Sequence, residues 1–346
     1  MTGRDRSSTA RSASLVAAVL LVAAAATACA RRPDPRIESA VSGISESSLR
    51  RHVAALTGIG PRPWNDEEAT AATLAYLDRT LRGFGYRVET EVVPLAATAG
   101  RDGGSRSEPR NLIAVLEGGK EPDRIIEVGA HYDSVPLAPG ADDNASGVAG
   151  VLEIARVAAS FEFRKTLRFC LFAMEEVGLV GSRAHVERIR SRGESHEGIL
   201  VLEMIGYATD RPDSQASPVR IPLLLSPPRT GDFILVVGNF PSGGIGNRFE
   251  RAAGLYVPEL EIFSLERLGG FFRDAARSDH SPYWRAGLRG VMITDTANFR
   301  NPNYHRPSDT IDTLDFVFCR GVTRAAAAAV FEWAEPIRKR QASEER

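Results

Sequence analysis

"GAHYDSVPLAPGADDNASG", residues 129–147, sets one His and three Asp among mostly small residues. Upstream, "RIIEVGAH" (124–131) is an apolar run that reads as a buried strand. Downstream, "SGVAGVLEIARVAAS" (146–160) reads as a helix. The stretch is therefore a strand-to-helix connection, the unit from which α/β sheets are built. Two readings of His131, Asp133, Asp142 and Asp143 compete here: a polar loop with an Asp cap for the next helix, or half of a metal site.

The same alternation extends outward. "SESSLRRHVAALTGIG" (45–60) has an N-cap signal and a terminal Gly, so it reads as a helix with its stop. In "DEEATAATLAYLDRTLRGFG" (66–85), Leu74, Leu77 and Leu81 fall on one helical face. "YRVETEVV" alternates as a half-buried strand, and "AGRDGGSRSEPR" (99–110) is a hairpin-like loop. "NLIAVLEG", "TLRFCLFAM", "GILVLEMIGY", "DFILVVGN" and "LRGVMITDT" continue the strand series. "DFVFCRGVTRAAAAAVFEWAEPIRKR" (315–340) reads as one long closing helix. The expected fold class is α/β: a central, mostly parallel mixed sheet flanked by helices on both faces. One domain over residues 47–338 is expected, preceded by a tether at 30–45 and followed by a polar tail at 339–346.

The 346 residues are 43% hydrophobic and 25% charged, with a formal net charge of −1, so no basic footprint for nucleic acid is present. Arg4, Arg6 and Arg11 precede the apolar run "SLVAAVLLVAAAATAC" (14–29). Basic, apolar and small residues in that order make an export signal over 1–28, and "ATAC" resembles a bacterial lipobox. The expectation is export to the cell envelope with a lipid anchor to the membrane at Cys29, or simple secretion. Cys170 and Cys319 then remain, and sequence leaves open whether they pair.

In an open α/β sheet, sites form beyond the carboxyl ends of the strands. Several polar residues stand at such ends. Asp133 lies two residues from His131, so in extended chain it can reach that ring and set its tautomer. Asp142 and Asp143 cannot both cap a helix, and Gly140 and Gly147 let the backbone turn tightly around them. Glu175 and Glu176 end an apolar strand, where adjacent carboxylates are tolerable only near a cation. In extended chain they point opposite ways and would hold different jobs. Glu203 interrupts a buried strand, and His305 sits in the loop "NPNYHRPSDTIDTLD". Two His and several carboxylates with no thiolate suit zinc in an open, catalytic site.

Taken in order, "GAHYDS", "PGADDNASG", "EEVGLVGS", "LEMIGY", "SDHSPYW" and "YHRPSDT" resemble the co-catalytic di-zinc aminopeptidases, metallopeptidase family twenty-eight. The resemblance covers about residues 47–335. It implies two zinc ions per chain. His131 and Glu203 match the terminal ligands of one, and Glu176 and His305 those of the other. The bridging carboxylate lies four residues before the Gly of D-x-x-S-G, which makes it Asp143 rather than Asp142. Glu175 matches the general base and Asp133 the orienting partner of His131. The resemblance further implies a cis peptide between Asp143 and Asn144, and peptides with a free N-terminus as substrates. Tyr207, Phe299 and Tyr304 flank these motifs and are candidates for the wall of a substrate pocket.

Three alternatives are weighed against this. Asp279, His280 and Ser281 of "SDHSPYW" do not make a serine-hydrolase triad, since contiguous residues cannot adopt that geometry and no G-x-S-x-G elbow is present. His280 is expected to support the site or touch substrate. A glutaminyl cyclase, a single-zinc transferase of related fold, shares "HYDS" and the Glu pair but departs from "DNASG" and "EEVGLVGS". A non-catalytic binding domain of the same fold, as in transferrin-receptor ectodomains, would have lost ligand positions that this chain keeps. The preferred N-terminal residue and the oligomeric state are not legible in the sequence.

Overall fold

A computed structural model describes residues 32–94, 108–217 and 226–339. In chain order the elements are α1 (Pro35–Ser42), α2 (Glu46–Thr57), α3 (Glu67–Gly83), β1 (Arg87–Val92), β2 (Arg110–Leu116) and β3 (Glu121–His131). Then come α4 (Gly147–Ala158), β4 (Phe161–Phe163), β5 (Lys165–Phe172), α5 (Val180–Ser191), β6 (Ser195–Glu203) and β7 (Ile234–Gly238). The chain closes through α6 (Gly243–Tyr256), β8 (Ile262–Leu265), α7 (His280–Arg285), β9 (Gly290–Thr294), α8 (Phe316–Ala334) and β10 (Pro336–Lys339).

Eight strands form one sheet in the order β1-β2-β5-β3-β6-β9-β7-β8. The four middle strands β5, β3, β6 and β9 are mutually parallel; β2 and the parallel β7–β8 pair join them antiparallel, and β1 pairs antiparallel with β2 at the edge. That is the mixed sheet expected from the sequence. The parallel strands read as continuous apolar runs because both faces are covered. On one face α4 and α8 pack over Val128, Phe169 and Leu200; on the other, Val186 and Ile189 of α5 and Tyr283 of α7 cover Cys170, Val201 and Ile199.

The N-cap signal at the head of α2 acts as expected, and α3 is capped in the same way. Ser45 accepts from the Ser48 amide at 3.2 Å at the head of α2, and Asp66 from the Ala69 amide at 2.9 Å at the head of α3. Leu77 and Leu81 are buried and Leu74 partly so. The expected tether is in part a helix: in α1, Ile37, Ala40 and Val41 are buried against the core. The polar spacing of 30–45 hides that short apolar stripe. The closing helix is also shorter than expected. It stops at Ala334 because Pro336 cannot continue a helix; Glu335 turns left-handed (φ 61°) and β10 pairs with β4. Cys170 in β5 and Cys319 in α8 are both free and buried. Among the described residues no helix is long and apolar enough to cross a membrane. The export segment 1–28, Cys29, most of the hairpin-like loop at 99–110 and nearly all of the polar tail at 339–346 lie outside the described residues.

Candidate active site

The parallel strands place their carboxyl ends together, and the expected residues gather there. His131 is the last residue of β3, Glu203 the last of β6, and Glu175 and Glu176 follow β5. His305 comes from the loop after β9, and Asp143 from the turn between β3 and α4.

The two adjacent Asp residues separate cleanly. Asp142 turns inward: its carboxylate accepts from the Gly206 amide at 2.9 Å and from Asn301 Nδ2 at 2.7 Å. Asp143 turns to the site. Its Oδ1 lies 3.4 Å from His131 Nε2 and its Oδ2 3.2 Å from His305 Nε2. The peptide between Asp143 and Asn144 is cis, as the resemblance implied. Asn144 ties this turn to β6, with Nδ2 donating to the Leu202 carbonyl and Oδ1 accepting from the Met204 amide, each at 2.9 Å. Gly140 has φ 63°, where a side chain would meet the Asp143 carbonyl and Ser134. Gly147 does a different job from the tight turning expected of it. It is helical, and its missing Cβ allows close approach to the Leu202 carbonyl.

Around Asp143 the donors fall into two groups whose atoms all lie within 4.8 Å of one another: His131, Glu175 and Glu203, and Asp143, Glu176 and His305. Glu203 Oε2 is 3.4 Å from His131 Nε2, and Glu176 Oε2 is 3.1 Å from His305 Nε2. Glu203 is steadied by Ser278 Oγ, which donates to it at 2.6 Å.

Asp133 is placed differently from the simple expectation. His131 Nδ1 donates to the backbone carbonyl of Asp133 at 3.1 Å, while the carboxylate stands farther off at 3.6 Å. That bond makes Nδ1 the donor and turns Nε2 to the site, where a metal would take the place of its proton. The Asp133 carboxylate accepts from the amides of Glu175 and Glu176 at 3.1 and 3.2 Å. It thus shapes the turn that carries the Glu pair. That pair is in a tight turn, not in extended chain, because Met174 before it is left-handed (φ 59°). Met204 after Glu203 (φ 48°) and His305 itself (φ 57°) share that conformation. Such backbone costs about 1–3 kcal/mol per residue and persists where the surroundings impose it.

The donor set fits divalent metal. Glu176 Oε1 is buried without a hydrogen-bond partner. Burial pushes the Glu176 carboxyl up to about 7, reinforced by Asp143 and opposed by His305. Burial raises Glu175 well above the ordinary carboxylate range; His131 opposes that shift, and Glu203, Asp279 and Glu176 add to it. Burial pulls His305 down, but Asp143 and Glu176 outweigh it and hold the imidazole up at about 10. Carboxylates crowded out of water around two imidazoles call for cations. Two histidines and several carboxylates without thiolate suit zinc.

Some contributors carry no signal that the sequence reading used. Arg62 is buried, and its guanidinium donates to five carbonyls, those of Leu56, Gly60, Tyr132, Pro139 and Gly140. It clasps the loop between His131 and Asp143. Asp309, inside the quoted "YHRPSDT", accepts from the amides of Asp142 and Asp143 at 2.9 and 3.1 Å. A buried Arg in "GPRPW" is invisible before the loop folds over it. His280 does not line the cavity, so it does not touch a ligand there; its Nε2 donates at 2.7 Å to the carbonyl of Ala275, which does line it, and its ring packs on Trp284.

Beside the carboxylates opens a cavity of about 140 Å³. A cavity of about 150 Å³ holds a benzene ring. Its apolar wall is one face of the β7–β8–β9 edge: Leu235 and Val237, Phe263 and Leu265, and Met292 alternate toward it. Phe299 and Tyr304 line it as expected, whereas Tyr207 does not. The Tyr304 ring stacks on His305 with centroids 3.8 Å apart.

A family model described as peptidase family M28 matches residues 111–229. The chain is 33% identical over 286 residues to the uncharacterized protein YfbL of Escherichia coli (strain K12), covering 79% of this chain and 83% of that one. It is 29% identical over 235 residues to aminopeptidase YwaD of Bacillus subtilis, covering 65% of this chain but 43% of YwaD, so it spans less than half of that relative. Among solved structures, the LapA aminopeptidase of Legionella pneumophila superposes with a TM-score of 0.68 at 19% identity, over 88% of this chain and 78% of LapA. A glutaminyl cyclase of Bacteroides thetaiotaomicron reaches 0.62 at 18% identity, over 83% and 98%. At such identities the superpositions speak for the fold alone.

Proposed function

The chain belongs to peptidase family M28, and on that premise we propose that it is a zinc-dependent aminopeptidase working with two metal ions. The observation that carries this reading is Asp143, whose two oxygens face the imidazoles of His131 and His305 separately. His131 and Glu203 would hold one zinc, Glu176 and His305 the other, and Asp143 both. When bound, zinc supplies a Lewis acid and brings the pKa of water toward about 7.

The remaining steps belong to the protein. Glu175 is the general base: it takes the proton of the attacking water and delivers it to the leaving amine. Its carboxyl is near enough to His131 and Glu203 to count as a donor there. We assign it to proton transfer because Asp143 already completes that group. Asp133 holds the Glu175 turn and the His131 tautomer in register. The N-terminal amine lies among Glu175 and Glu203, and the first side chain enters the apolar cavity. The cavity's size and lining support a leucyl or phenylalanyl residue there.

The test is hydrolysis of leucyl-p-nitroanilide by the zinc-loaded protein, with loss on dialysis against a chelator and recovery on adding zinc. Protein carrying two zinc ions but releasing no N-terminal residue from any peptide would overturn the reading. So would cyclisation of N-terminal Gln in its place. We propose export and lipidation at Cys29 on the sequence of residues 4–29 alone; mass measurement of the processed N-terminus, with Cys29→Ala as control, decides it.

A further inference from the structure

Arg277 is the single cationic side chain among the described residues lining the cavity. Its guanidinium is held by neutral acceptors: Nη1 donates to Asn298 Oδ1 at 2.8 Å and Nη2 to the Tyr304 hydroxyl at 3.2 Å. Among the described residues its hydrogen bonds go to these neutral acceptors rather than to a carboxylate, although Asp274 lines the same cavity. A guanidinium offers five N–H donors in a planar fork matched to a carboxylate, so donors remain for a ligand.

Its position connects both halves of the site. Tyr304, which it contacts, stacks on His305, and Ser278, its chain neighbour, donates to Glu203. Arg277 therefore stands about one aromatic ring beyond the metal-ligating groups, at the cavity wall. Four carboxylates, Asp143, Glu175, Glu176 and Glu203, face that centre. In the reading above they offset two divalent ions, which leaves the Arg277 guanidinium hydrogen-bonded only to the neutral Asn298 and Tyr304 among the described residues.

From this we propose that Arg277 recognises a carboxylate on the residue following the scissile bond, and that the enzyme favours short peptides presenting one there. In a dipeptide the α-carboxylate lies one residue, about 3.8 Å of chain, past the bond that is cut. The Tyr304 ring lies 3.8 Å from that of His305 and the Arg277 guanidinium 5.9 Å from the Tyr304 ring, so a carboxylate one residue past the bond extends from the ligand cluster toward the guanidinium. An acidic side chain on the same residue could supply the same group. The inference rests on the aminopeptidase reading, which locates the scissile bond at the ligand cluster.

The experiment compares kcat/KM for Leu-Gly with that for Leu-Gly-amide in the zinc-loaded wild type, Arg277→Gln and Arg277→Lys. A charge-assisted contact predicts a ratio of at least about tenfold favouring the free acid in the wild type. It predicts a ratio near one in Arg277→Gln and an intermediate value in Arg277→Lys, whose ammonium lacks the fork. Any general loss through Tyr304 falls on both substrates and cancels in the ratio. Leu-Asp-amide against Leu-Asn-amide separates the two carboxylate sources; a preference for the Asp peptide that vanishes in Arg277→Gln shows that the side-chain group is read too. Equal wild-type rates for acid and neutral partners in both pairs overturn the inference while leaving the aminopeptidase reading intact. A preference that persists in Arg277→Gln does the same. If no peptide is cut, the aminopeptidase reading fails and takes the inference with it.

Discussion

The guanidinium Nη2 of Arg62 donates to the carbonyl of Gly140 at 3.0 Å, so a side chain from the loop after α2 holds the turn that presents Asp143. Removing it would strand several buried carbonyls, each costing about 1–3 kcal/mol. We expect Arg62→Ala to lose at least about 3 kcal/mol in urea unfolding. Arg62→Lys should recover only part of that, since an ammonium has three donors and no fork. A change under about 1 kcal/mol would show that the loop holds without the clasp.

Glu175 and Glu176 should fail differently. Glu176→Gln removes charge from a metal-facing position and should weaken binding of one zinc. Glu175→Gln keeps the shape but cannot accept a proton, so kcat should drop about 10²–10⁴-fold with both metals retained. Metal content measured beside kcat decides it. The reverse pattern would swap the two assignments.

Zinc affinity should rise with pH. The imidazole of His305 stays protonated to about 10 without metal and the Glu176 carboxyl to about 7, and zinc must displace those protons. Competition with a chromophoric chelator should therefore give binding at least about tenfold tighter at pH 8 than at pH 6. An affinity independent of pH would contradict the imidazole ligation.

Away from the site, His185 bridges two buried carboxylates, with Nδ1 2.8 Å from Glu91 and Nε2 3.0 Å from Glu127. Burial disfavours the His185 cation, but Glu127 and Glu91 hold its pKa well above the ordinary value. Burial likewise disfavours the Glu127 anion, and His185 and His196 hold its pKa well below. The His185 contribution is thus complete below about pH 6.5 and fades as pH rises through its raised pKa. That of Glu127 is complete above about pH 4.5 and fades as pH falls through its lowered pKa. Breaking such a pair leaves an uncompensated charge, so His185→Gln should cost about 3–5 kcal/mol near neutral pH. The loss should shrink on the alkaline side. A loss that grows with alkalinity would contradict the charged form of His185.

The fold class was legible because strand and helix periodicities differ and the middle strands, covered on both faces, are unbroken apolar runs. The site residues were legible because their motifs lie at the ends of those runs. Elements with mixed signals were not. The Gly-rich segment 243–256 forms α6 through the burial of Ile245 and Phe249, which its propensity does not announce. The short stripe of α1 gains its meaning only from the core it meets.

Local sequence by itself singled out His131, Asp133, Asp143, Glu175, Glu176, Glu203 and His305, and all seven reach the same sheet end. The tertiary structure alone decided what each one faces. Asp142 and Asp143 are chemically alike; the motif pointed to Asp143, and the contacts of Gly206 and Asn301 with Asp142 give the physical reason, leaving Asp143 for His131 and His305. Asp133 shapes the Glu175 turn, and Arg277 lines one cavity with the β7–β8 edge, through contacts between residues far apart in the chain. Spacing along a chain sets which side chains share a strand or helix face. Which of them meet across the fold depends on the order in which the strands assemble.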